Sequence, residues 1–249
     1  MDVLEALQAE SGVVAVVGAG GKKTTLYTLA ARASHDAGCR AVVTATVRIP
    51  IFDRHVEDVA VTDDPVAALE CADAWPIGVV PERESEDRYV GYDRETIDDI
   101  AAADVADLVL VKADGARTRE FKAPNEREPQ LPPSTETVIP VASVAVVGEP
   151  LSAEYVHRPE RVAAITGRDR GETIRPADVA AVLASERGGL KEVPDGATVV
   201  VVLNKVDDAT RRGDAEEIAT ALLERSPAIN RVVLSRMIDD EPVIQVLER

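Results

Sequence analysis

Short apolar runs alternate with amphipathic stretches along most of the chain. Five consecutive apolar residues, Val13–Val17, predict a buried strand that ends in a glycine-rich turn. A helix is predicted over Thr24–Ala37, because its apolar residues recur every three or four positions. A second apolar run predicts a strand over Ala41–Thr46. A strand, a helix and a second strand in this order form a right-handed unit with parallel strands.

The same alternation continues to the end of the chain. Further strands are predicted at Ile77–Val80, Leu108–Ala113, Ser143–Val147, Val199–Leu203 and Arg231–Leu234. Helices are predicted at Asp64–Cys71, Arg94–Ala103, Pro176–Ser185 and Asp214–Glu224. This order predicts an α/β protein with a mostly parallel sheet and helices on both faces. We find no internal repeat, and we predict that residues 1–249 form a single domain.

Composition and charge narrow the classes of partner. The chain has 45 Asp+Glu against 28 Lys+Arg, a formal net charge of −17, which argues against nucleic-acid binding. Apolar runs of about five residues are far shorter than the ~20 that a membrane-spanning helix needs. The acidic N-terminus lacks the basic region of a signal peptide, so a cytoplasmic protein is expected. Dispersed carboxylates and only six lysines are typical of halophilic proteins.

The strongest chemical signal is the glycine-lysine turn after the first strand. Glycines let the backbone approach a phosphate, and the N-terminus of the following helix adds partial positive charge. A lysine can reach the outer phosphates, and a threonine hydroxyl can bind Mg²⁺. The candidate phosphate-binding residues are Gly18, Gly20, Gly21, Lys22, Lys23, Thr24 and Thr25. The alternative is a tight turn that only starts a helix.

The turn departs from both common nucleotide motifs. Aligning Gly21 and Lys22 with G-x-x-x-x-G-K-[ST] places Val16 at the first glycine and Lys23 at the hydroxyl position. Either lysine can then be the one that contacts phosphate, and Thr24 becomes the candidate metal ligand. Lys23 also stands where G-x-G-x-x-G needs its third glycine, so a dinucleotide site is the weaker alternative.

A second motif points to the base of a nucleotide. Asn204-Lys205-Val206-Asp207 follows an apolar strand and matches the N-K-x-D motif with which GTPases recognise guanine. A carboxylate at Asp207 that accepts two guanine N–H groups would favour guanine over adenine by about 1–3 kcal/mol. We therefore expect a purine nucleotide, GTP or ATP. The alternative is a polar connection in which Asp207 or Asp208 caps the next helix.

Asp114 follows the apolar strand Leu108–Ala113, which is the position of a Walker-B carboxylate that holds Mg²⁺. An ordinary Asp-Gly turn is the alternative. The candidate catalytic residues are thus Lys22, Lys23 and Asp114, and the candidate metal ligands are Thr24 and Asp114.

The segment from Asp114 to Pro133 contains four prolines, so it is predicted to be a functional loop without a helix or a central strand. Several side chains in and after this loop are candidate ligand contacts. Arg117, Arg119 and His157-Arg158 can bind an anion, with a structural role as the alternative for His157. Glu126 and Glu128 bind a cation, act on a substrate or are solvated.

The order and spacing of five motifs resemble the YqeC family. The motifs are the glycine-lysine turn, Ala113–Arg117, Lys122–Pro129, His157-Arg158 and Leu203–Asp207. Members are accessory proteins for selenium-dependent molybdenum hydroxylases, also described as selenium cofactor biosynthesis proteins. Family members usually have Gly-Gly-Lys-Thr in the turn and Glu two residues before the Asp, whereas this chain has Lys23 and Lys112 there.

The resemblance implies a P-loop-like nucleotide site and a role in maturing a molybdenum hydroxylase or its cofactor. Together the motifs predict that residues 1–249 form a single nucleotide-binding domain with a P-loop NTPase-like fold. The protein is expected to bind a purine nucleotide, to use Mg²⁺ and to hydrolyse NTP. Two alternatives remain open. One is a kinase or nucleotidyl transferase acting on a molybdopterin-type cofactor, and the other is a nucleotide-gated cofactor chaperone without catalysis.

Overall fold

The computed structural model of the protein describes residues 1–249. The helices are α1 (Val3–Leu7), α2 (Lys22–Ala31), α3 (Pro65–Glu70), α4 (Arg94–Ala102), α5 (Pro159–Thr166), α6 (Pro176–Leu183) and α7 (Ala209–Arg225). The first seven strands are β1 (Gly12–Gly18), β2 (Ala41–Ala45), β3 (Ile49–Pro50), β4 (Asp58–Val61), β5 (Ile77–Val80), β6 (Arg83–Ser85) and β7 (Arg88–Tyr89). The other seven are β8 (Leu108–Lys112), β9 (Phe121–Lys122), β10 (Thr135–Ser143), β11 (Val156–His157), β12 (Thr198–Asn204), β13 (Arg231–Ser235) and β14 (Val243–Glu248).

Nine strands form one sheet in the order β14-β13-β12-β10-β1-β8-β2-β5-β4. All neighbouring pairs are parallel except β13 and β14, which are antiparallel. The predicted α/β class with a mostly parallel sheet is therefore confirmed. Strand β1 lies between β10 and β8, so the loops that follow these strands meet at one edge of the sheet.

Helices cover both faces of the sheet, as the alternation of side chains along each strand requires. On one face, Val14 and Val16 of β1 share a core of 26 buried residues with α1 and α2. On the other face, Val13 belongs to a cluster that includes Ile97 and Ile100 of α4. Helices α5, α6 and α7 contribute to a further 24-residue cluster that contains alternate residues of β12 and β13. The arrangement is that of a P-loop NTPase-like fold.

Several predicted boundaries differ from the structure. The strand predicted at Ser143–Val147 is wrong: β10 ends at Ser143, and Val144–Val146 forms a 3₁₀ turn in which the Ser143 hydroxyl accepts from the Ala145 N–H. This apolar run is buried because it packs into the 24-residue cluster. Helix α2 begins at Lys22 rather than Thr24, and a π-helical turn replaces its predicted end.

The sequence patterns also missed the short helices α1 and α5 and the antiparallel strand β14. Helices α1 and α5 have five and eight residues, lengths at which an isolated helix is marginal, so they depend on long-range packing. None of the helices combines the length and the apolar character that crossing a membrane requires.

Candidate functional site

The glycine turn lies at the carboxyl end of β1, where open α/β sheets bind ligands. Gly18 and Gly20 have φ of +92° and +78°, in the left-handed region that favours glycine. A Cβ at Gly18 would lie 2.2 Å from the Val141 carbonyl oxygen, and one at Gly21 would lie 2.1 Å from Asn204 Nδ2. Close packing against the Val141 backbone and the Asn204 side chain therefore requires glycines here. No side chain caps the N-terminus of α2 at this turn.

Beneath the turn lies a cluster of five charged side chains that we call the buried charge cluster: Lys22, Asp114, Lys122, Glu128 and Arg158. The two carboxylate oxygens of Asp114 lie 2.7 Å from Lys22 Nζ and 2.8 Å from Lys122 Nζ. Glu128 Oε2 lies 2.9 Å from Lys122 Nζ and 2.6 Å from Arg158 Nη1. Each carboxylate thus bridges two cations, which is the arrangement that makes buried charges tolerable.

The cluster also ties β8 to the glycine turn. The Gly18 N–H donates to Asp114 Oδ2 at 2.9 Å, and the Lys22 ammonium donates to the Gly18 carbonyl oxygen. Burial by itself would raise the pKa of Asp114, but Lys22 and Lys122 outweigh it and lower the pKa to about 2. Asp114 is therefore ionised across the neutral range and holds the turn in place.

Above the turn opens a cavity of about 480 Å³ with a strong excess of positive charge, the basic cavity. Four lysines line it: Lys22, Lys23, Lys112 and Lys205. Four arginines line it as well: Arg48, Arg88, Arg117 and Arg119. The one acidic lining residue is Glu120, whose carboxylate oxygens both lie 2.7 Å from Lys205 Nζ. The cavity is thus built to attract anions.

Four of these cations have no carboxylate partner. Lys23 and Arg117 make neither an ion pair nor a side-chain hydrogen bond, and Arg119 Nε donates to the Ala153 carbonyl oxygen at 2.7 Å. Lys112 Nζ donates to the Arg48 carbonyl oxygen at 2.7 Å. Burial, reinforced by the nearby charge of Lys22, lowers the pKa of Lys112 to about 7. These four side chains are available to a ligand.

One wall of the cavity has an unusual backbone. Arg117 and Thr118 have φ of +48° and +59°, a left-handed conformation that is rare for a residue with a β-carbon and rarer for a β-branched one. Two such residues in succession cost free energy, and they hold the segment Gly115–Glu120 along the cavity. The predicted loop after β8 is therefore part of the candidate site.

The three polar residues of the N-K-x-D motif lie in different surroundings. Asn204 is buried, its Nδ2 donates to the Gly20 carbonyl oxygen at 2.9 Å, and its Oδ1 accepts from the Met237 N–H at 3.1 Å. Lys205 lines the cavity. Asp207 lies outside the cavity lining and pairs with Arg211 Nη1 at 2.7 Å. Asn204 therefore stabilises the glycine turn. Recognition of guanine by Asp207 stays a prediction.

The other predicted residues are distributed as follows. Thr24 lines the cavity, whereas Thr25 is buried and its hydroxyl donates to the Gly21 carbonyl oxygen at 3.3 Å. Glu126 pairs with Arg161 away from the cavity lining, and Asp208 caps α7 by accepting from the Arg211 N–H. The sequence patterns missed Arg88, which no motif indicates, and Glu120, although it follows the candidate residue Arg119 in the predicted loop.

The ligands for magnesium that the motifs predict are poorly met. Asp114 is occupied by Lys22 and Lys122, and no cluster of three or more His, Cys, Asp or Glu side chains exists. Among the lining residues, Thr24, Thr118 and Glu120 have side-chain oxygen atoms, and Glu120 is held by Lys205. Mg²⁺ in proteins is usually held by one or two carboxylates together with substrate phosphates. Both carboxylates here are held by lysines, so the side chains of the protein by themselves do not fit Mg²⁺, and the predicted magnesium site stays a prediction.

Comparison with known proteins places these residues in a family context. A family model described as YqeC protein matches residues 14–160, which include the glycine turn, Asp114 and Arg158. A relative from Escherichia coli (strain K12) named "Uncharacterized protein YqeC" is 30% identical over 244 residues, covering 90% of this chain and 92% of the relative.

Proposed function

The chain belongs to the YqeC family, and on that premise we propose that it binds a purine nucleoside triphosphate, GTP or ATP, through its phosphate groups in the basic cavity. One observation carries the proposal. Eight basic side chains line one cavity, although the whole chain has a net charge of −17. Such a local reversal of charge focuses the field on one anionic ligand.

The size and position of the cavity support a nucleotide. Its volume of about 480 Å³ lies within the range of roughly 300–1,000 Å³ typical of small-molecule sites. It opens beside the glycine turn and the uncapped N-terminus of α2, a pairing that suits phosphate oxygens. In this proposal Lys23 and Arg117 contact phosphates directly, while Asp114 and Lys22 keep the turn in shape.

The reaction that follows binding is a further part of the proposal. Phosphoryl or nucleotidyl transfer needs positioning and charge stabilisation more than covalent chemistry from the protein, and the cations of the cavity supply both. From the family resemblance, we propose a role in maturing selenium-dependent molybdenum hydroxylases in the cytoplasm. A transferase acting on a molybdopterin-type cofactor and a nucleotide-gated chaperone are the alternatives.

Isothermal titration calorimetry with a ligand panel tests the proposal. ATP, GTP, tripolyphosphate, adenosine and guanosine would be titrated in low salt and in molar KCl, the latter because the composition predicts a salt-adapted protein. We expect both triphosphates and tripolyphosphate to bind and both nucleosides to fail. Binding of the nucleosides with equal affinity, or of none of the five compounds, would overturn the proposal. Consumption of NTP only when a pterin acceptor is added would favour the transferase.

A further inference from the structure

We infer that the basic cavity binds its triphosphate as the free polyanion, with the ammonium group of Lys23 in the position that the phosphate-loop motif gives to a metal-binding hydroxyl. This inference rests on the proposed function and specifies the ionic form of the ligand. It concerns Lys23, one of the two positions at which the turn departs from the motif.

The first support is the position of Lys23. In the motif G-x-x-x-x-G-K-[ST], the residue after the lysine supplies the hydroxyl that binds Mg²⁺. Here Lys22 is followed by Lys23, which lines the cavity, is half-buried, and makes no ion pair with any carboxylate. An ammonium group at this point repels a divalent cation and attracts a phosphate oxygen.

The second support is the state of the carboxylates near the turn. Asp114 has a side chain only 3% exposed, and its two oxygens are held by Lys22 and Lys122. Glu120 is held through both oxygens by Lys205. A metal ion would have to displace one of these lysines, and it would gain a single carboxylate in return.

The third support is the balance of charge. Lys23, Lys112, Arg117 and Arg119 have no carboxylate partner and line the same cavity. A bound magnesium ion neutralises two negative charges of the triphosphate, so it weakens the attraction between the triphosphate and these cations. The free triphosphate therefore complements the cavity better than its magnesium complex does.

Calorimetry with the wild-type protein tests the inference directly. ATP, GTP and tripolyphosphate would each be titrated once with EDTA and once with excess MgCl₂ at the same ionic strength. We expect a Kd in EDTA that is no larger than the Kd in MgCl₂. A larger Kd in EDTA would overturn the inference and leave the proposed function standing, whereas no binding under either condition would overturn both.

The variant Lys23→Thr restores the hydroxyl of the motif. It tests whether Lys23 is responsible for the binding of the metal-free triphosphate. We expect its Kd in EDTA to rise about tenfold or more, which is the loss of one charge-assisted hydrogen bond. Its Kd in MgCl₂ should rise less, so the ratio of the two constants should move toward metal dependence. Thermal unfolding establishes that the variant is folded, and Lys23→Met separates loss of charge from gain of the hydroxyl. An unchanged ratio in folded Lys23→Thr would overturn the role of Lys23.

Discussion

The buried charge cluster and the basic cavity lie side by side and use the same kinds of residue, yet they differ in how charge is paired. In the cluster, Asp114 and Glu128 each bridge two cations. In the cavity, by contrast, four of the eight basic side chains have no carboxylate partner: Lys23, Lys112, Arg117 and Arg119. Paired charges hold the backbone in place, whereas unpaired charges remain for a ligand. Removing a charge from the cluster should therefore lower the free energy of unfolding, and removing one from the cavity should lower the affinity for triphosphate.

The largest effect is expected in the cluster. Asp114→Ala leaves Lys22 and Lys122 buried without their shared partner, and breaking a buried ion pair in this way costs about 3–5 kcal/mol. Urea unfolding followed by circular dichroism would measure the loss. Asp36→Ala, which removes an exposed carboxylate that pairs with Arg32, is the control and should change stability by less than about 1 kcal/mol. Equal losses in both variants would contradict the distinction.

Next in size are the unpaired cations of the cavity. Lys23→Ala and Arg117→Ala should each weaken triphosphate binding by about 1.5–3 kcal/mol, the value of a hydrogen bond to a charged group. The free energy of unfolding should change by no more than about 0.5 kcal/mol, because neither side chain has a protein partner to lose. Arg225→Ala is the matched control, since Arg225 is exposed in the last turn of α7. Unchanged affinity in both cavity variants would show that the triphosphate does not bind in the basic cavity.

A smaller effect is expected from the pH dependence of Lys112. Its pKa is about 7, and the charges that act on it are Lys22, Asp114, Lys122 and Glu128. A bound phosphate favours the protonated form, so binding takes up protons and affinity rises as pH falls through about 7. Between about pH 8 and 6 we expect a gain of roughly three- to tenfold.

The ligand titrates in the same range, so Lys112→Met provides the reference. The difference between the wild type and this variant isolates the contribution of Lys112. Calorimetry in buffers of different ionisation enthalpy counts the protons taken up. Identical pH profiles and identical proton uptake in the two proteins would show that Lys112 does not respond to the ligand.

The smallest effect is expected at Asp207, whose carboxylate is exposed on the surface and paired with Arg211. Asp207→Asn breaks an i,i+4 ion pair with Arg211 on the surface, worth about 0.3–0.5 kcal/mol. Because Asp207 lies outside the cavity lining, we expect the ratio of GTP to ATP affinity to change by less than about threefold. Calorimetry with both nucleotides measures the ratio. A larger loss for GTP would support guanine recognition by the N-K-x-D motif.

The sequence by itself determined strands β1 and β12 of the central sheet and the glycine turn, although it did not predict β10 between these two strands. Val13–Val17 and Val199–Leu203 are continuous apolar runs, which is the pattern of strands buried on both faces of a parallel sheet. Glycines followed by lysines at the end of β1 indicated a tight turn that starts a helix, and the structure has that turn. These features follow from local spacing, since the period of a strand or a helix is set within a few residues.

Only the tertiary structure decided which charged residues are paired. Lys22 and Lys23 are neighbours of the same type, yet Lys22 meets Asp114, which is 92 positions away in the chain, and Lys23 meets no carboxylate. Asn204 braces the turn at Gly20, and Arg88 reaches the cavity from the small strand β7. The run Val144–Val146 forms a 3₁₀ turn rather than a strand, and its valines are buried by packing against segments far away in the sequence. Pairing and burial depend on distances between segments far apart in sequence, and no local period encodes those distances.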